Sequence, residues 1–200
     1  MPNTVIFDLG GVLIDWNPRY LYRKLMPDEA SIETFLSTVC TSEWNAQQDA
    51  GRPFAEGVAM LSEQFPDKAD LISAFHTRWI EMIGGAIEDT VVMMTELKEA
   101  GVPLYALTNW SAETFPLVRP DFEFLNWFIG IVVSGEEKMI KPDPAFYHVL
   151  FDRYQLKPED TVFIDDSKPN IETAKNLGVH AIHFNSPSQV RKEVEALGLL

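Results

Sequence analysis

Cysteine and long apolar runs are scarce in this sequence of 200 residues. Its single cysteine, Cys40, excludes an internal disulfide and is more simply interpreted as a packed thiol than as a catalytic one. No apolar run approaches the length of a membrane-spanning helix, and the first residues lack the basic start of a signal peptide. We therefore expect a cytoplasmic protein.

Positive charge is also scarce. Only 16 lysine and arginine residues stand against 30 aspartate and glutamate residues, which gives a formal net charge of −14. Such a surface repels nucleic acid and anionic membranes, so we expect neither as a partner. If the substrate is an anion, its site must be made locally positive by a metal, a lysine or backbone N–H groups.

What the sequence does contain is five short apolar runs rich in β-branched residues, which predict buried strands of a parallel sheet. They cover residues 4–7, 104–107, 131–133, 161–164 and 181–184. Apolar residues at helical spacing lie between or after them, at 90–100, 145–154, 170–177 and 190–197. This alternation predicts an α/β fold, a three-layer Rossmann-like core around a parallel sheet.

The interval 18–85 breaks the alternation. It carries three helical stripes of apolar residues and no convincing strand. We therefore expect an inserted α-helical cap at 18–85 and a catalytic core made of 1–17 and 86–200, with Gly84 and Gly85 able to serve as a hinge. Between two of the stripes lies a group of mostly polar residues. It could form a specificity loop that closes over the substrate, or a loop exposed to solvent. Its members are Glu43, Trp44, Asn45, Asp49 and Arg52.

Polar residues follow four of the five predicted strands, where ligands bind in doubly wound sheets. Asp8 ends the first strand and is followed by Gly10 and Gly11, which exposes a carboxylate beside backbone N–H groups that can face an anion. An ordinary turn would explain this segment about as well. After the second strand, Thr108 and Asn109 offer a hydroxyl and an amide to a phosphoryl oxygen, although a helix cap is the simpler interpretation.

Charged residues follow the third and fourth strands. Lys141 precedes Pro142 and can present a fixed ammonium to a carboxylate or phosphate, although an exposed loop lysine would look the same in sequence. Asp165 and Asp166 end the fourth strand, where two adjacent carboxylates repel each other unless a cation is present. Mg²⁺ suits such a pair, while a helix cap stays open for Asp166.

Together, in this order and each at a strand end, the four segments resemble those of the haloacid dehalogenase-like hydrolases. The resemblance covers essentially the whole chain, including a helical insertion after the first strand. It implies Asp8 as the nucleophile, Thr108 as a phosphate-binding hydroxyl, and Lys141 as the charge that links nucleophile and phosphate.

The resemblance also implies a metal site and substrate contacts. Mg²⁺ would be held by Asp8, the main-chain carbonyl of Gly10, Asp165 and Asp166, with Asp166 favoured as the direct ligand. Gly10 and Asn109 would lie against the substrate. The substrate implied is a small-molecule phosphate ester.

One departure concerns Gly10. Phosphatases of this family usually carry there a second aspartate, a general acid and base, and such catalysis typically contributes ~10²–10⁴-fold. Three explanations stay open: a substrate with a good leaving group, such as an anomeric sugar phosphate; a proton from water, the substrate or a cap residue, with Asp15 nearest in sequence; or another reaction. The Asp-Leu-Gly pattern resembles a subgroup that includes sugar-1-phosphate phosphatases, which favours the first.

The expected function is therefore Mg²⁺-dependent hydrolysis of a small phosphate monoester through an aspartyl-phosphate on Asp8. A 2-haloacid dehalogenase is the alternative, and Asn109 is compatible with it. Those dehalogenases, however, need no metal, usually carry an aromatic residue at the position of Gly10, and lack the acidic pair. A phosphate-binding protein of the same fold with little turnover also stays open.

Overall fold

A computed structural model describes residues 2–200 of the protein. The strands in this part of the chain are β1 (Thr4–Phe7), β2 (Ile14–Trp16), β3 (Ile83–Ala86), β4 (Leu104–Thr108), β5 (Gly130–Val133), β6 (Thr161–Asp165) and β7 (His180–His183). The helices are α1 (Arg19–Tyr22), α2 (Glu29–Thr38), α3 (Ser42–Asp49), α4 (Phe54–Gln64), α5 (Ala69–Thr77), α6 (Glu88–Glu99), α7 (Phe115–Val118), α8 (Ser134–Glu137), α9 (Pro144–Tyr154), α10 (Lys168–Asn176) and α11 (Pro187–Ala196).

Five of the strands form one parallel sheet in the order β5-β4-β1-β6-β7. The predicted strands agree with these five to within one residue at each end. Strand β1 lies in the middle, with Phe7 opposite Ala106 of β4 on one side and Ile164 of β6 on the other. The carboxyl ends of these three strands therefore meet at one edge of the sheet.

Helices cover both faces of the sheet. Successive residues of a strand point to opposite faces, so Val5 and Phe7 enter one core cluster while Ile6 enters the other. Helices α6 and α11 supply Met93 and Val190 to the first cluster, and α9 and α10 supply side chains to the second. The expected three-layer α/β fold is confirmed.

Five helices, α1–α5, lie between β2 and β3, and those two strands pair antiparallel. The prediction that residues 18–85 contain no strand was therefore wrong for β3. Glycine is a poor strand former, and Gly84 and Gly85 form one here because β2 lies opposite. A Cβ at Gly84 would strike the Asp15 carboxylate, so the glycine permits this close pairing. The division into core and cap remains a prediction.

The helices between β2 and β3 share an apolar core with the sheet. Phe35, Phe54 and Phe75, one from each predicted helical stripe, are buried in the same cluster as Phe7. Cys40 is buried there too, and burial raises the pKa of its thiol to about 12, as expected for a packed cysteine. Among residues 2–200, no helix is both long enough and apolar enough to cross a bilayer.

Candidate active site

The sheet brings the predicted site residues to one edge. Asp8 directly follows β1, Thr108 ends β4 and Asp165 ends β6, and these strands are neighbours. Lys141 reaches them from the segment between α8 and α9. Its Nζ lies 3.0 Å from Asp8 Oδ2 and 2.7 Å from Asp165 Oδ2. Four side chains, the first and last of which are more than 150 residues apart in the sequence, thus share one small region.

Lys141 is not an exposed loop lysine, because its side chain is fully buried. Besides the two carboxylates, its ammonium contacts the carbonyl of Leu107 at 2.8 Å, so all three N–H donors are used. Burial lowers the pKa of Lys141, but Asp165 and Asp8 raise it by more, and the net pKa lies above the usual value. The site therefore contains a permanent, fixed positive charge.

Asn109 holds the backbone of Lys141. Its Oδ1 accepts from the Lys141 N–H at 2.8 Å, and its Nδ2 donates to the Lys141 carbonyl at 2.9 Å. This pair of bonds uses the amide oxygen and one amide N–H. The structure gives Asn109 a positioning contact that the sequence did not predict, while its predicted substrate contact remains a prediction.

Three carboxylates cluster around this ammonium. One oxygen from each of Asp8, Asp165 and Asp166 lies within 4.8 Å of the others. Burial raises the pKa of Asp8 to about 7, and Asp165 and Asp166 add to the rise against the opposing effect of Lys141. Burial and the neighbouring Asp165 also raise the pKa of Asp166. The cluster thus has more negative than positive charge, and its hard oxygen donors fit a Mg²⁺ ion.

The two adjacent aspartates differ in their contacts. Asp165 is buried and accepts from the backbone N–H of Ser167 at 2.7 Å and from Asn170 Nδ2 at 3.0 Å, in addition to Lys141. Its oxygens are therefore largely engaged in holding the ammonium. Asp166 is exposed on the same edge. This difference favours Asp166 as the direct metal ligand.

The two glycines after Asp8 differ in what they allow. Gly11 has a φ of +74°, and a Cβ there would strike the Asp166 carboxylate, so only glycine fits. A Cβ at Gly10 would meet nothing within 4 Å. Steric exclusion by the fold therefore does not explain why the second aspartate is absent at this position.

The backbone N–H groups that follow Asp8 are less available to an anion than expected. The N–H of Leu9 donates to the Asp8 carboxylate itself at 2.7 Å, and the N–H of Gly11 donates to the Ile14 carbonyl at 2.9 Å. These bonds fix the Asp8 side chain and the turn. Among the described residues the N–H of Gly10 donates to no protein atom, so it stays available to an anion, together with the Lys141 ammonium.

A cavity of about 80 Å³ opens beside Gly10. It is lined by Gly10, Trp16, Asn45, Asp49, Trp79, Asn109 and Trp110. A buried water needs about 10–15 Å³, so there is room for several waters or for one small polar group. The cavity lies between the strand-end cluster and the helices of the 18–85 interval.

The mostly polar residues at 43–52 contribute to this cavity, and those up to Asp49 form helix α3 rather than a loop. Thr41 caps α3 by accepting from the Trp44 N–H at 3.1 Å, which starts a helix that the polar sequence did not suggest. Asn45 and Asp49, four residues apart, lie on one face of α3 and line the cavity. Trp44 packs edge-on against Phe75.

Three polar atoms of this region have no hydrogen-bond partner among residues 2–200. Among the residues that the structure describes, Thr108 Oγ1, Trp16 Nε1 and Asn45 Oδ1 are buried without a hydrogen bond. Leaving a buried polar group unpaired costs about 1–3 kcal/mol, so such atoms mark places where a ligand can bond. The free hydroxyl of Thr108 suits its predicted role toward a phosphoryl oxygen.

Comparison with protein families matches residues 2–178 to the haloacid dehalogenase-like hydrolases. The chain belongs to this family. Both the resemblance and the expected enzyme class, a hydrolase, are confirmed.

Two characterised relatives of this haloacid dehalogenase-like hydrolase are named phosphatases. It is 27% identical over 197 residues to the sesquiterpene phosphatase astK of Aspergillus oryzae, covering 97% of this chain and 95% of that protein. It is 28% identical over 190 residues to a phosphorylated carbohydrates phosphatase of Thermotoga maritima, covering 90% and 83% respectively. The two names specify different substrates, so they do not identify the substrate of this chain.

Among solved structures, the hydrolase resembles the HAD family enzyme BT-2542 of Bacteroides thetaiotaomicron in complex with magnesium and inorganic phosphate. The TM-score is 0.69 at 22% identity, with 92% of this chain and 94% of that chain covered. At this identity the likeness shows the fold alone.

Sequence analysis of this hydrolase missed the role of Asn170. Its Nδ2 lies 3.0 Å from both Asp165 oxygens, and its carbonyl accepts from the Tyr147 hydroxyl at 2.9 Å. The signal was weak: an amide five residues after Asp165, in the first turn of α10, faces back toward the strand end. A helix cap would have explained it equally well.

Proposed function

We propose that this hydrolase cleaves small phosphate monoesters with the help of Mg²⁺, through an aspartyl-phosphate on Asp8. The observation that carries the proposal is the buried Lys141 ammonium 3.0 Å from Asp8 Oδ2, within a cluster of three carboxylates. A carboxylate can approach a phosphate dianion only where positive charge offsets the repulsion. The chain places such a charge next to Asp8 and a metal-suited donor set around it.

The metal would be held by Asp8, the carbonyl of Gly10 and Asp166, with Asp165 behind them. When bound, Mg²⁺ supplies positive charge that offsets the charge on the phosphoryl oxygens and keeps Asp8 ionised. Lys141 keeps the attacking carboxylate in place through its 3.0 Å contact.

The reaction would then proceed in two displacements at phosphorus. The Thr108 hydroxyl, which has no partner within the described chain, donates to a phosphoryl oxygen. The Asp8 oxygen attacks phosphorus, and the bond to the leaving oxygen breaks. Water then attacks the aspartyl-phosphate, which releases inorganic phosphate and restores the Asp8 carboxylate. Both displacements are in line, as positioning by fixed groups favours.

The leaving group would carry hydroxyls close to the phosphate, as a sugar does. Trp16 Nε1 is a donor and Asn45 Oδ1 an acceptor; both are buried, unpaired in the described structure and part of the same cavity lining. A hydroxyl in this cavity can accept from the first or donate to the second. A purely apolar leaving group would leave both unpaired, at about 1–3 kcal/mol each. This supports a sugar phosphate over a prenyl phosphate.

The interval 18–85 would act as a cap over this site. Phe54 donates its backbone N–H to the Glu113 carboxylate at 2.9 Å, and the Ser134 hydroxyl donates to the Asp49 carbonyl at 2.6 Å. These contacts join the helices of the interval to segments that follow β4 and β5. A cap in this position excludes bulk water during the first displacement.

A panel of phosphate esters assayed for phosphate release tests the proposal. With Mg²⁺ present, we expect turnover of sugar 1-phosphates and hexose 6-phosphates, and a loss of at least about 100-fold with a chelator, reversed by added Mg²⁺. Farnesyl phosphate should be cleaved at least about 10-fold less efficiently, which corresponds to roughly 1.4 kcal/mol.

Other outcomes of the same panel would favour other functions. Halide release from 2-chloropropionate without metal would indicate the dehalogenase reaction. Binding of inorganic phosphate with no ester cleaved would indicate a binding protein. Preference for farnesyl phosphate over every sugar phosphate would contradict the hydroxyl-bearing leaving group while leaving the phosphatase proposal intact.

A further inference from the structure

The cavity beside Gly10 contains one carboxylate. Of the residues that line it, Asp49 alone has an ionisable side chain. Family phosphatases usually carry an acid at position 10, and here a side chain at that position would meet nothing within 4 Å. A carboxylate is therefore absent from the strand-end side of the cavity and present on the α3 side.

Asp49 is held in place by neighbours from three parts of the chain. Its Oδ2 accepts from Asn45 Nδ2 at 3.0 Å, one turn earlier on α3. The backbone of Ser111, in the segment after β4, lies near enough to its carboxylate to lower the pKa of Asp49. The Ser134 hydroxyl, at the start of α8, donates to its carbonyl at 2.6 Å. The end of α3 is thus fixed against the segment that follows Thr108 and Asn109.

We propose that Asp49 is the general acid and base of this hydrolase, supplied from α3 in place of the aspartate that position 10 lacks. The inference rests on the proposed phosphatase function. It differs from the expectation from sequence, in which Asp15 was the nearest candidate. Asp15 bonds to the Tyr20 hydroxyl at 2.6 Å and does not line the cavity.

The proton moves as follows. When Asp8 attacks phosphorus, the bond between phosphorus and the leaving oxygen breaks, and its electron pair stays on that oxygen. The carboxylic acid of Asp49 gives its proton to this oxygen, so a neutral alcohol leaves. The Asp49 carboxylate then takes a proton from water as the water oxygen attacks the phosphorus of the aspartyl-phosphate. The bond from phosphorus to Asp8 breaks, phosphate leaves, and Asp49 is again protonated.

The protonation state of Asp49 suits both roles. Burial raises the pKa of Asp49 to about 7, with the nearby backbone of Ser111 opposing the rise. An acid and base with a pKa near the working pH transfers protons most effectively. The amide of Asn45 donates to one oxygen of Asp49, which leaves the other oxygen able to carry the proton.

Charged groups on the surrounding elements have other partners or lie apart from the carboxylate. Arg52 donates to Gln48 Oε1, one residue before Asp49, and to the Trp44 carbonyl. Glu113 accepts from the backbone of Phe54. The exposed Lys138, which follows α8, lies against Gly51. No ion pair joins any of them to Asp49 in the described residues.

A leaving-group series separates acid catalysis from a structural role. The probes are 4-nitrophenyl, phenyl and 4-methoxyphenyl phosphate, which are similar in size and differ in the basicity of the phenol released. For Asp49→Asn with Mg²⁺, we expect kcat/KM to fall by less than about 10-fold on the nitrophenyl ester and by about 10²–10³-fold on the methoxyphenyl ester. Asp15→Asn is the matched control and should change all three esters by the same factor.

The wild-type pH profile gives a second measurement that needs no variant. Only the protonated acid can assist departure, so kcat/KM for the methoxyphenyl ester should fall as pH rises through about 7, whereas the nitrophenyl ester should lack this fall. An equal loss by Asp49→Asn on all three esters, or identical profiles for the two esters, would overturn the assignment and leave the phosphatase proposal standing. If the wild type cleaves no phosphate ester of either panel, farnesyl phosphate included, both proposals fail together.

Discussion

Asp8→Asn is expected to lower phosphate release by a factor on the order of 10⁴ or more, because an amide cannot act as the nucleophile. The substitution should leave the fold intact. Asp8 Oδ1 accepts from the Leu9 N–H at 2.7 Å, and the amide oxygen of asparagine can accept the same bond, whereas the contact of Oδ2 with Lys141 is lost. The measurement is steady-state phosphate release with Mg²⁺ on the best ester of the panel.

Asp143→Asn is the matched control for this variant. Asp143 is exposed and caps α9 by accepting from the Ala145 N–H at 2.9 Å, close in sequence to Lys141. Asparagine caps helices about as well as aspartate, so turnover should stay within about 2-fold of wild type. Wild-type-like turnover by Asp8→Asn would exclude Asp8 as the nucleophile.

The same Asp8→Asn variant should be more stable than wild type in the absence of metal. Burial, Asp165 and Asp166 together raise the pKa of Asp8 to about 7 against the opposing Lys141, whereas an unfolded aspartate ionises near pH 4. Between these values the unfolded chain releases its proton first, so ionisation of Asp8 destabilises the fold as the pH rises. At pH 8 the ionisation of Asp8 costs roughly 4 kcal/mol, and the contact of Asp8 Oδ2 with Lys141, which the variant loses, offsets part of this gain. The net stabilisation should be roughly 2 kcal/mol, or about 4–8 °C in Tm.

The pH dependence checks the cause of this gain. The difference in Tm between variant and wild type should shrink as the pH falls from 8 toward 4, because below about pH 4 Asp8 is protonated in both the folded and the unfolded state. Added Mg²⁺ should reduce the difference as well, because a cation beside Asp8 favours its ionised form. A difference that stays constant with pH would mean that the gain has another origin.

The sequence predicted the strand-end half of the site because sheet topology converts order along the chain into proximity. Once Asp8, Thr108 and Asp165 are each placed after a parallel strand, their meeting at one edge follows. The position of Lys141 in the site was harder to predict, because this residue lies several positions beyond a strand end rather than directly at one. Its complete burial depends on the contacts with Asp165 and Leu107, which no local pattern encodes.

The other half of the cavity could not be predicted, since it depends on how the helices between β2 and β3 lie on the sheet. Asn45 and Asp49 are polar residues of a weakly patterned helix, and only tertiary packing brings them beside Gly10. The strand at Gly84 and Gly85 was missed for a similar reason. Its residues have little intrinsic preference for strand, and pairing with β2 outweighs that preference.

Lys141→Met is expected to destabilise the fold by about 3–5 kcal/mol and to abolish turnover. The ammonium is fully buried and contacts Asp8 and Asp165 at 3.0 and 2.7 Å, so its loss leaves buried carboxylates without a counter-charge. Thermal unfolding in the absence of metal should show a Tm lower by roughly 6–20 °C. Lys138→Met removes the same charge from an exposed position and should change stability by less than about 0.5 kcal/mol.

A second substitution shows whether the loss comes from unpaired charge or from lost packing. Asp8→Asn in the Lys141→Met background should stabilise the protein by more than it stabilises wild type, because no attraction to the ammonium is lost with the Asp8 charge. Asp165 would still be held by Ser167 and Asn170. If the two substitutions are simply additive, the electrostatic coupling between Lys141 and Asp8 is negligible. The charge arrangement proposed for the attack on phosphate would then lack its basis.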